Sequence, residues 1–217
     1  MKKIMFLVSL LAISESISLG QSNFYFEERN AFSLSMSFEK YEDNNSYLVL
    51  SPFYSINGIF DFGLNAGYSL KSPNVFRINP VAYMRLFNEN PSKKSFNFAY
   101  GLGYQYESSS QTVANEKINT TANYFQQNTL FYYTIPLNNF TIQPQFSIIW
   151  YFGETQTNNV TSPGKNNPSD INPDSFADYK FGFAFIFDKG NFTWNLVPTL
   201  FIDHEGKTFA LQAGITF

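Results

Sequence analysis

From about residue 31 to residue 217 the chain alternates with a period of two, apolar side chain against small or polar side chain. Phe32, Leu34, Met36 and Phe38 alternate with Ser33, Ser35, Ser37 and Glu39, and Phe60, Phe62, Leu64, Ala66, Tyr68 and Leu70 with Asp61, Gly63, Asn65, Gly67 and Ser69. The run from Phe96 to Glu107 repeats the pattern, as do Phe181 to Phe187 and Phe209 to Phe217. Successive side chains of a strand point to opposite faces, so this predicts strands with one apolar and one polar face. The pattern reads as about ten strands, near 31–40, 47–56, 59–70, 75–87, 96–107, 124–137, 140–152, 178–187, 192–203 and 208–217, with eight as the alternative count. Each is close to the roughly ten residues that a tilted membrane strand needs.

The connections fall into two alternating classes. Asn57-Gly58, Asn138-Asn139 and Asp188-Lys189-Gly190-Asn191 have hairpin-turn chemistry, with residues that tolerate positive φ. Residues 88–95 join them as a longer turn. The other class includes two stretches rich in Asn, Ser, Thr, Gln and Pro, residues 108–123 and 154–177, which are expected to be long loops. Up-and-down order puts each class at its own end, short turns on one side and long loops on the other, as in outer-membrane barrels.

Alternation alone does not say which face points outward; volume and charge do. Aromatic residues make up 19% of the chain and charged residues only 14%, too little charge to coat a water-facing surface. A small barrel is nearly filled by its own inward side chains, so the many Phe, Leu, Ile, Tyr and Trp of the apolar phase cannot all fit inside. The opposite phase is mostly Ser, Gly, Asn, Thr and Gln, compact enough for a lumen. The apolar phase contains no charged residue; Gln127 and Thr129 are its clearly polar members. It therefore faces lipid, and the expected fold is an all-β, antiparallel, up-and-down transmembrane β-barrel. Tyr68, Tyr104, Tyr106, Trp150 and Tyr179 fall near the loop ends and Tyr54, Tyr133 and Trp194 near the turn ends, as two interfacial girdles. Pro52, Pro80, Pro144 and Pro198 lie inside strands in the lipid-facing phase, where each removes a ladder donor; local bulges or widened pairing are expected there.

Residues 1–20 read as a cleaved secretory signal: a basic start at Met1-Lys2-Lys3, an apolar run over 4–13, then Ser18 and Gly20 ahead of Gln21. The run is about half the ~20 apolar residues a spanning helix needs. The expected organisation is therefore a signal over 1–20 and one barrel domain over 21–217. The absence of Cys excludes disulfides and thiol chemistry, and a net charge of −3 offers no basic footprint for nucleic acid.

With these residues laid out, the chain resembles the small outer-membrane β-barrel (porin-like) domain family of Gram-negative bacteria. Ser51-Pro52-Phe53-Tyr54 through Asn65-Ala66-Gly67-Tyr68 is similar to that family's second hairpin. Ile78-Asn79-Pro80 to Tyr83-Met84-Arg85 is similar to its fourth strand, and Ala99-Tyr100-Gly101-Leu102-Gly103-Tyr104 to its glycine-spaced fifth. Ile215-Thr216-Phe217 resembles the aromatic carboxy-terminal strand that barrel-assembly machinery reads, with Phe217 as the assembly signal. The resemblance implies the fold, a place in the outer membrane among its lipids, and that assembly route. It implies no catalytic residues.

Chemistry is sparse. Gly101-Leu102-Gly103 lacks the third glycine and the following helix of a nucleotide loop, and reads as small lumen residues leaving room for neighbours. The single His204 lies in Asp203-His204-Glu205-Gly206 between the last two strands, without the His-x-Ser spacing of a deacylase. A lone His makes zinc improbable, and no cofactor or metal is expected. Hairpin pairing of the third and fourth strands puts Asp61 beside Arg85 on the inner face near the turn end, with Arg77 higher up. These three residues are a candidate lumen constriction, or else an ion pair that stiffens a polar core. Glu39, Glu107 and Lys180, at strand ends near the loops, are expected to be solvated. The leading functional expectation is a non-enzymatic outer-membrane barrel with a structural or surface role through 108–123 and 154–177, its surface partner unknown. A narrow porin for small solutes is the alternative, and a lipid-modifying enzyme a further one.

Overall fold

The computed structural model describes residues 30–41, 46–71, 74–86, 94–113, 116–161, 165–166, 170–188, 193–202 and 206–217. The expected signal over 1–20, residues 189–191 of the expected turn 188–191, residues 88–93 of the expected turn 88–95 and His204 lie outside these residues. Ten long strands form the barrel: β1 (Ala31–Tyr41), β2 (Ser46–Ile56), β3 (Phe60–Ser69), β4 (Asn74–Arg85), β5 (Ser95–Val113), β6 (Glu116–Pro136), β7 (Thr141–Thr161), β9 (Asp170–Asp188), β10 (Thr193–Ile202) and β11 (Lys207–Thr216). A two-residue strand, β8 (Lys165–Asn166), pairs with the end of β7. Neighbours are antiparallel throughout, and β1 pairs with β11, so the sheet closes on itself. Phe32 and Phe217 exchange backbone hydrogen bonds at that seam, at 3.3 and 2.9 Å.

Partners followed from Pro173 through Glu154, Asn123, Tyr106, Ile78, Ala66, Leu50, Met36, Ala213 and Leu196 return to β9 at Phe185, twelve positions away (185 against 173). A stagger of that size over ten strands tilts them by roughly 40° from the barrel axis, within the range of membrane barrels.

The side chains sort as the alternation demands. Phe32, Leu34, Leu64, Leu102, Phe183 and Phe209 are exposed on the outer surface, while Ser35, Asp61, Asn65, Asn97, Gln143 and Gln212 are buried in the lumen. Tyr68, Tyr104, Tyr106 and Tyr179 sit outward at one end of the belt, Tyr54, Tyr133 and Trp194 at the other. At the Asn57-Gly58 turn both residues take positive φ, 51° and 63°, and the Ile59 N–H donates to the Ile56 carbonyl at 3.0 Å. This is the primed turn whose twist matches that of the flanking strands.

The four strand prolines produce one-sided gaps and no bulge. Pro52 stays paired with Leu34 of β1 but the ladder to β3 lapses beside it; Pro80 keeps Leu64 of β3 and loses β5. Pro144 keeps Phe183 of β9 and loses β6, and Pro198 keeps Leu211 of β11 and loses β9. Register resumes unshifted past each gap, because the missing donor faces one neighbour only.

One expectation fails. Residues 108–123 and 154–177 are for the most part not loops but continuations of strands. The β5–β6 ladder runs to Val113↔Glu116, β6–β7 to Lys117↔Val160, and β7–β9 to Thr157↔Asp170. Beyond the apolar belt both faces of a strand meet water, so apolar–polar contrast disappears although the backbone stays extended. The pairing on either side of this four-stranded extension stops lower, at Asn74↔Ser110 and Ile202↔Tyr179. Its β9 edge carries Asp174 and Asp178, charge of the kind that blunts edge-to-edge pairing.

Leu64 faces outward near mid-strand, 39% exposed. Leu64→Arg is expected to cost about 2–4 kcal/mol, as for a cation near the bilayer midplane, and Leu64→Ile little. Denaturant unfolding in lipid vesicles measures both; a neutral Leu64→Arg would contradict the assignment of faces.

Candidate functional site

The inward phase builds the lumen in tiers. At the turn end, β3 and β4 set Asp61 across from Tyr83, with Arg85 two residues along β4. The Arg85 guanidinium donates to both carboxylate oxygens of Asp61, at 2.9 Å from Nη2 to each and 3.1 Å from Nε to Oδ2. The Asp61 and Arg85 side chains are 0% and 2% exposed, a sealed pair rather than one bathed in water.

Next to it, a cluster of large side chains occupies the lumen: Phe53, Val81, Tyr83, Leu130 and Tyr132, together with Ala99. Their strands alternate weakly, because β2 and β4 carry bulky residues in both phases. Space for them comes from glycine in the facing strands. A Cβ on Gly63 would run into the Phe53 ring, and one on Gly101 into the Tyr83 ring. The Tyr83 hydroxyl accepts from Asn128 Nδ2 at 2.8 Å, which fixes that ring in place. The reading of Gly101-Leu102-Gly103 as room for neighbours therefore holds. The inner face is mostly polar, as expected, but a cluster of larger side chains that the alternation does not announce sits within it.

The next tier is a run of side-chain amides. Asn65 Nδ2 donates to Asn79 Oδ1 at 2.9 Å, Asn79 Nδ2 to Gln126 Oε1 at 2.8 Å, Gln126 Nε2 to Gln105 Oε1 at 2.7 Å, and Gln105 Nε2 to Glu107 Oε1 at 2.8 Å. Every donor points the same way, toward the carboxylate that ends the run, so the amide dipoles align behind a negative charge. Glu107 also accepts from Arg77 Nε, and Arg77 Nη1 donates to Glu39 Oε2 at 3.2 Å. Tyr41 donates to the same Glu39 oxygen at 3.0 Å, and the Arg77 guanidinium lies 5.1 Å from the centre of the Tyr47 ring.

Asp61 and Arg85 are thus brought together, while Arg77 belongs to a separate ionic group. Gly67, its partner on β3, is six residues from Asp61, about 20 Å along the strand. Glu39 and Lys180 are not solvated as expected. They are 2% and 3% exposed, because they continue the inward phase into the lumen. Lys180 Nζ lies 4.8 Å from the centre of the Phe201 ring.

Over this ionic group opens a chamber of about 250 Å³, lined by Glu39, Tyr41, Arg77, Gln105, Glu107, Tyr124, Tyr151, Thr155, Asp174, Phe176, Asp178, Phe201 and Thr208. Tyr151 stacks on Phe176 at 4.6 Å, and Tyr124 meets both rings edge-on at 6.0 and 5.3 Å. Sequence reasoning missed this site because Asp174 and Phe176 lie in the stretch read as a loop. Asp174, Phe176, Asp178 and Lys180 share one face of β9, but their mixed chemistry gives no alternation to detect. Among the described residues no group of His, Cys, Asp and Glu converges as a metal site would.

No protein-family model matches the sequence, and no curated protein is significantly similar to it. The solved structures similar to this chain include the three that follow, each at low identity. The N-terminal β-barrel domain of Pseudomonas aeruginosa OprF is 8% identical, with 87% of this chain and 97% of that one covered at a TM-score of 0.39. The translocator domain of the autotransporter NalP from Neisseria meningitidis is 9% identical, covering 100% of this chain and 95% of that one at 0.45. Neisserial surface protein A is 10% identical, covering 86% and 94% at 0.33.

Removing one partner of the sealed pair strands the other charge. Asp61→Ala is expected to cost about 3–5 kcal/mol, and the double variant Asp61→Leu/Arg85→Met to recover most of it. Gly101→Ala should cost about 1–3 kcal/mol by pushing against the Tyr83 ring. Equilibrium unfolding in detergent or vesicles reads all three.

Proposed function

We propose that this chain is a non-enzymatic integral outer-membrane barrel of a Gram-negative bacterium whose lumen is closed to solute flow. Its role, structural or surface-directed, is then carried at the outer end. The observation behind this reading is the filled lumen: the rings of Phe53, Tyr83 and Tyr132 cluster in it as buried side chains, and the Asp61–Arg85 pair is sealed. In this reading Asp61, Arg85 and Arg77 hold the lumen shut rather than select solutes passing through it. The four-stranded extension of β5, β6, β7 and β9, together with the chamber beneath it, is the part offered to the exterior. Export through a signal over 1–20, surrounding outer-membrane lipids and assembly through the strand ending at Phe217 complete the proposal; they rest on sequence pattern and resemblance. The narrow porin is the reading it competes with.

Planar-bilayer recording separates the two. Wild-type protein whose insertion is shown independently should give no discrete current steps, and Phe53→Ala/Tyr132→Ala, which hollows the central tier, should give them. Reproducible steps from the wild type would favour the porin.

A further inference from the structure

The lipid-facing surface is not uniformly apolar: one patch on it carries hydrogen-bonding groups, at a depth where lipid has none to offer. We infer that this patch, on the outer face of β5, β6 and β7, is the contact through which two copies of the barrel pair side by side in the membrane. The inference goes beyond the closed-barrel reading and holds whether or not the lumen conducts.

Gln127 and Thr129 are the clearly polar members of the outward phase. Their neighbours on β6 fix that orientation: Gln126, Asn128 and Leu130 are buried in the lumen, where Gln126 bonds Asn79 and Asn128 bonds Tyr83. The register sets Leu102 and Trp150 on either side of Gln127, and Tyr100 and Ile148 on either side of Thr129. An amide, two hydroxyls and an indole N–H thus gather on one patch three strands wide. Among the described residues none of these four side chains makes a hydrogen bond. Depth gives the patch its meaning. Thr129 is four residues and Gln127 six from Tyr133 of the turn-end girdle, roughly 10 and 15 Å higher in a belt about 25 Å tall. Water and headgroup oxygens lie at the edges of the belt, so an amide that faces only acyl chains forfeits its hydrogen bonds.

The chemistry of the patch selects a second copy. Barrels inserted in one orientation carry each residue at one depth, so a two-fold axis along the membrane normal brings Gln127 to Gln127 and Thr129 to its counterpart. A primary amide is both donor and acceptor, so two of them satisfy each other, as polar side chains do between helices in lipid. Any other partner would need its own donors and acceptors at that same depth, a match that the two-fold axis supplies by itself. The surroundings are ordered for packing. One row nearer the turns, Phe98, Phe131, Phe146 and Phe181 form a continuous line of rings across β5, β6, β7 and β9, with centres 5.1, 6.4 and 4.9 Å apart. Rings of this kind anchor the centres of many interfaces. The three strands are 19, 21 and 21 residues long, a stripe roughly 14 Å by 60 Å or about 800 Å², the size of one side of a standard interface.

The test uses the full-length protein in its membrane. Leu102→benzoylphenylalanine places a photocrosslinker beside Gln127, and Met36→benzoylphenylalanine places one on β1, five strands away around the barrel. Irradiation should give a product of twice the barrel's mass from position 102 and none from position 36. Because the chain has no cysteine, Asn138→Cys in the exposed turn takes a single dye. Energy transfer between copies in lipid vesicles should persist on dilution with lipid, and Gln127→Leu should weaken the pairing about tenfold, Thr129→Val less. Gln127→Leu should leave the lone barrel as resistant to denaturant as the wild type or more so, since leucine suits lipid better than an amide; a glutamine with a purely structural role would lose stability instead. Energy transfer no greater than random proximity gives, pairing unchanged by Gln127→Leu, a crosslink from position 102 to some other protein, or a less stable Gln127→Leu barrel overturns the inference.

Discussion

Hydrocarbon offers no partner for a backbone N–H or C=O, and everything else in this molecule follows from that. Each of the ten barrel strands is paired on both sides, including the first with the last, so the belt presents no edge to lipid. The closure tolerates only short lapses. The four prolines illustrate the limit, since each loses ladder bonds toward one neighbour while the other neighbour holds the register. A proline that disturbed both sides would leave a carbonyl facing acyl chains with nothing to accept from.

Once closure fixes the diameter, the lumen must be filled or flooded, and this chain fills it by tiers of different chemistry. The ion pair at the turn end is buried, an aromatic cluster packs beside it, and the amide run and the Arg77 group carry polarity toward the loop end. Low dielectric strengthens the pairs that are satisfied and penalises those that are not.

The barrel was legible because lipid and lumen impose opposite chemistry on alternate residues, so Leu64 and Asn65 announce their faces without any knowledge of partners. The Asp61–Arg85 neighbourhood was legible too, since a hairpin constrains register. Two things were hidden. Phe53 and Tyr83 sit in the phase assigned to small residues, and their places are made by Gly63 and Gly101 on other strands, a complementarity that only the pairing reveals. The outer halves of β5, β6, β7 and β9 carry polar side chains on both faces, so a periodicity detected by contrast falls silent where the environment has none.

The unequal height of the wall sets the direction from which the molecule can be approached. Four adjacent strands stand tall, while β1 to β4, β10 and β11 end near the aromatic girdle with connections only a few residues long. The rim is therefore a windbreak rather than a chimney. Traffic from above meets the tall side as an obstacle, whereas anything travelling in the plane of the bilayer surface meets the low side as a doorstep. For such a shape the headgroups of the neighbouring leaflet lie nearer the low rim than the tall one.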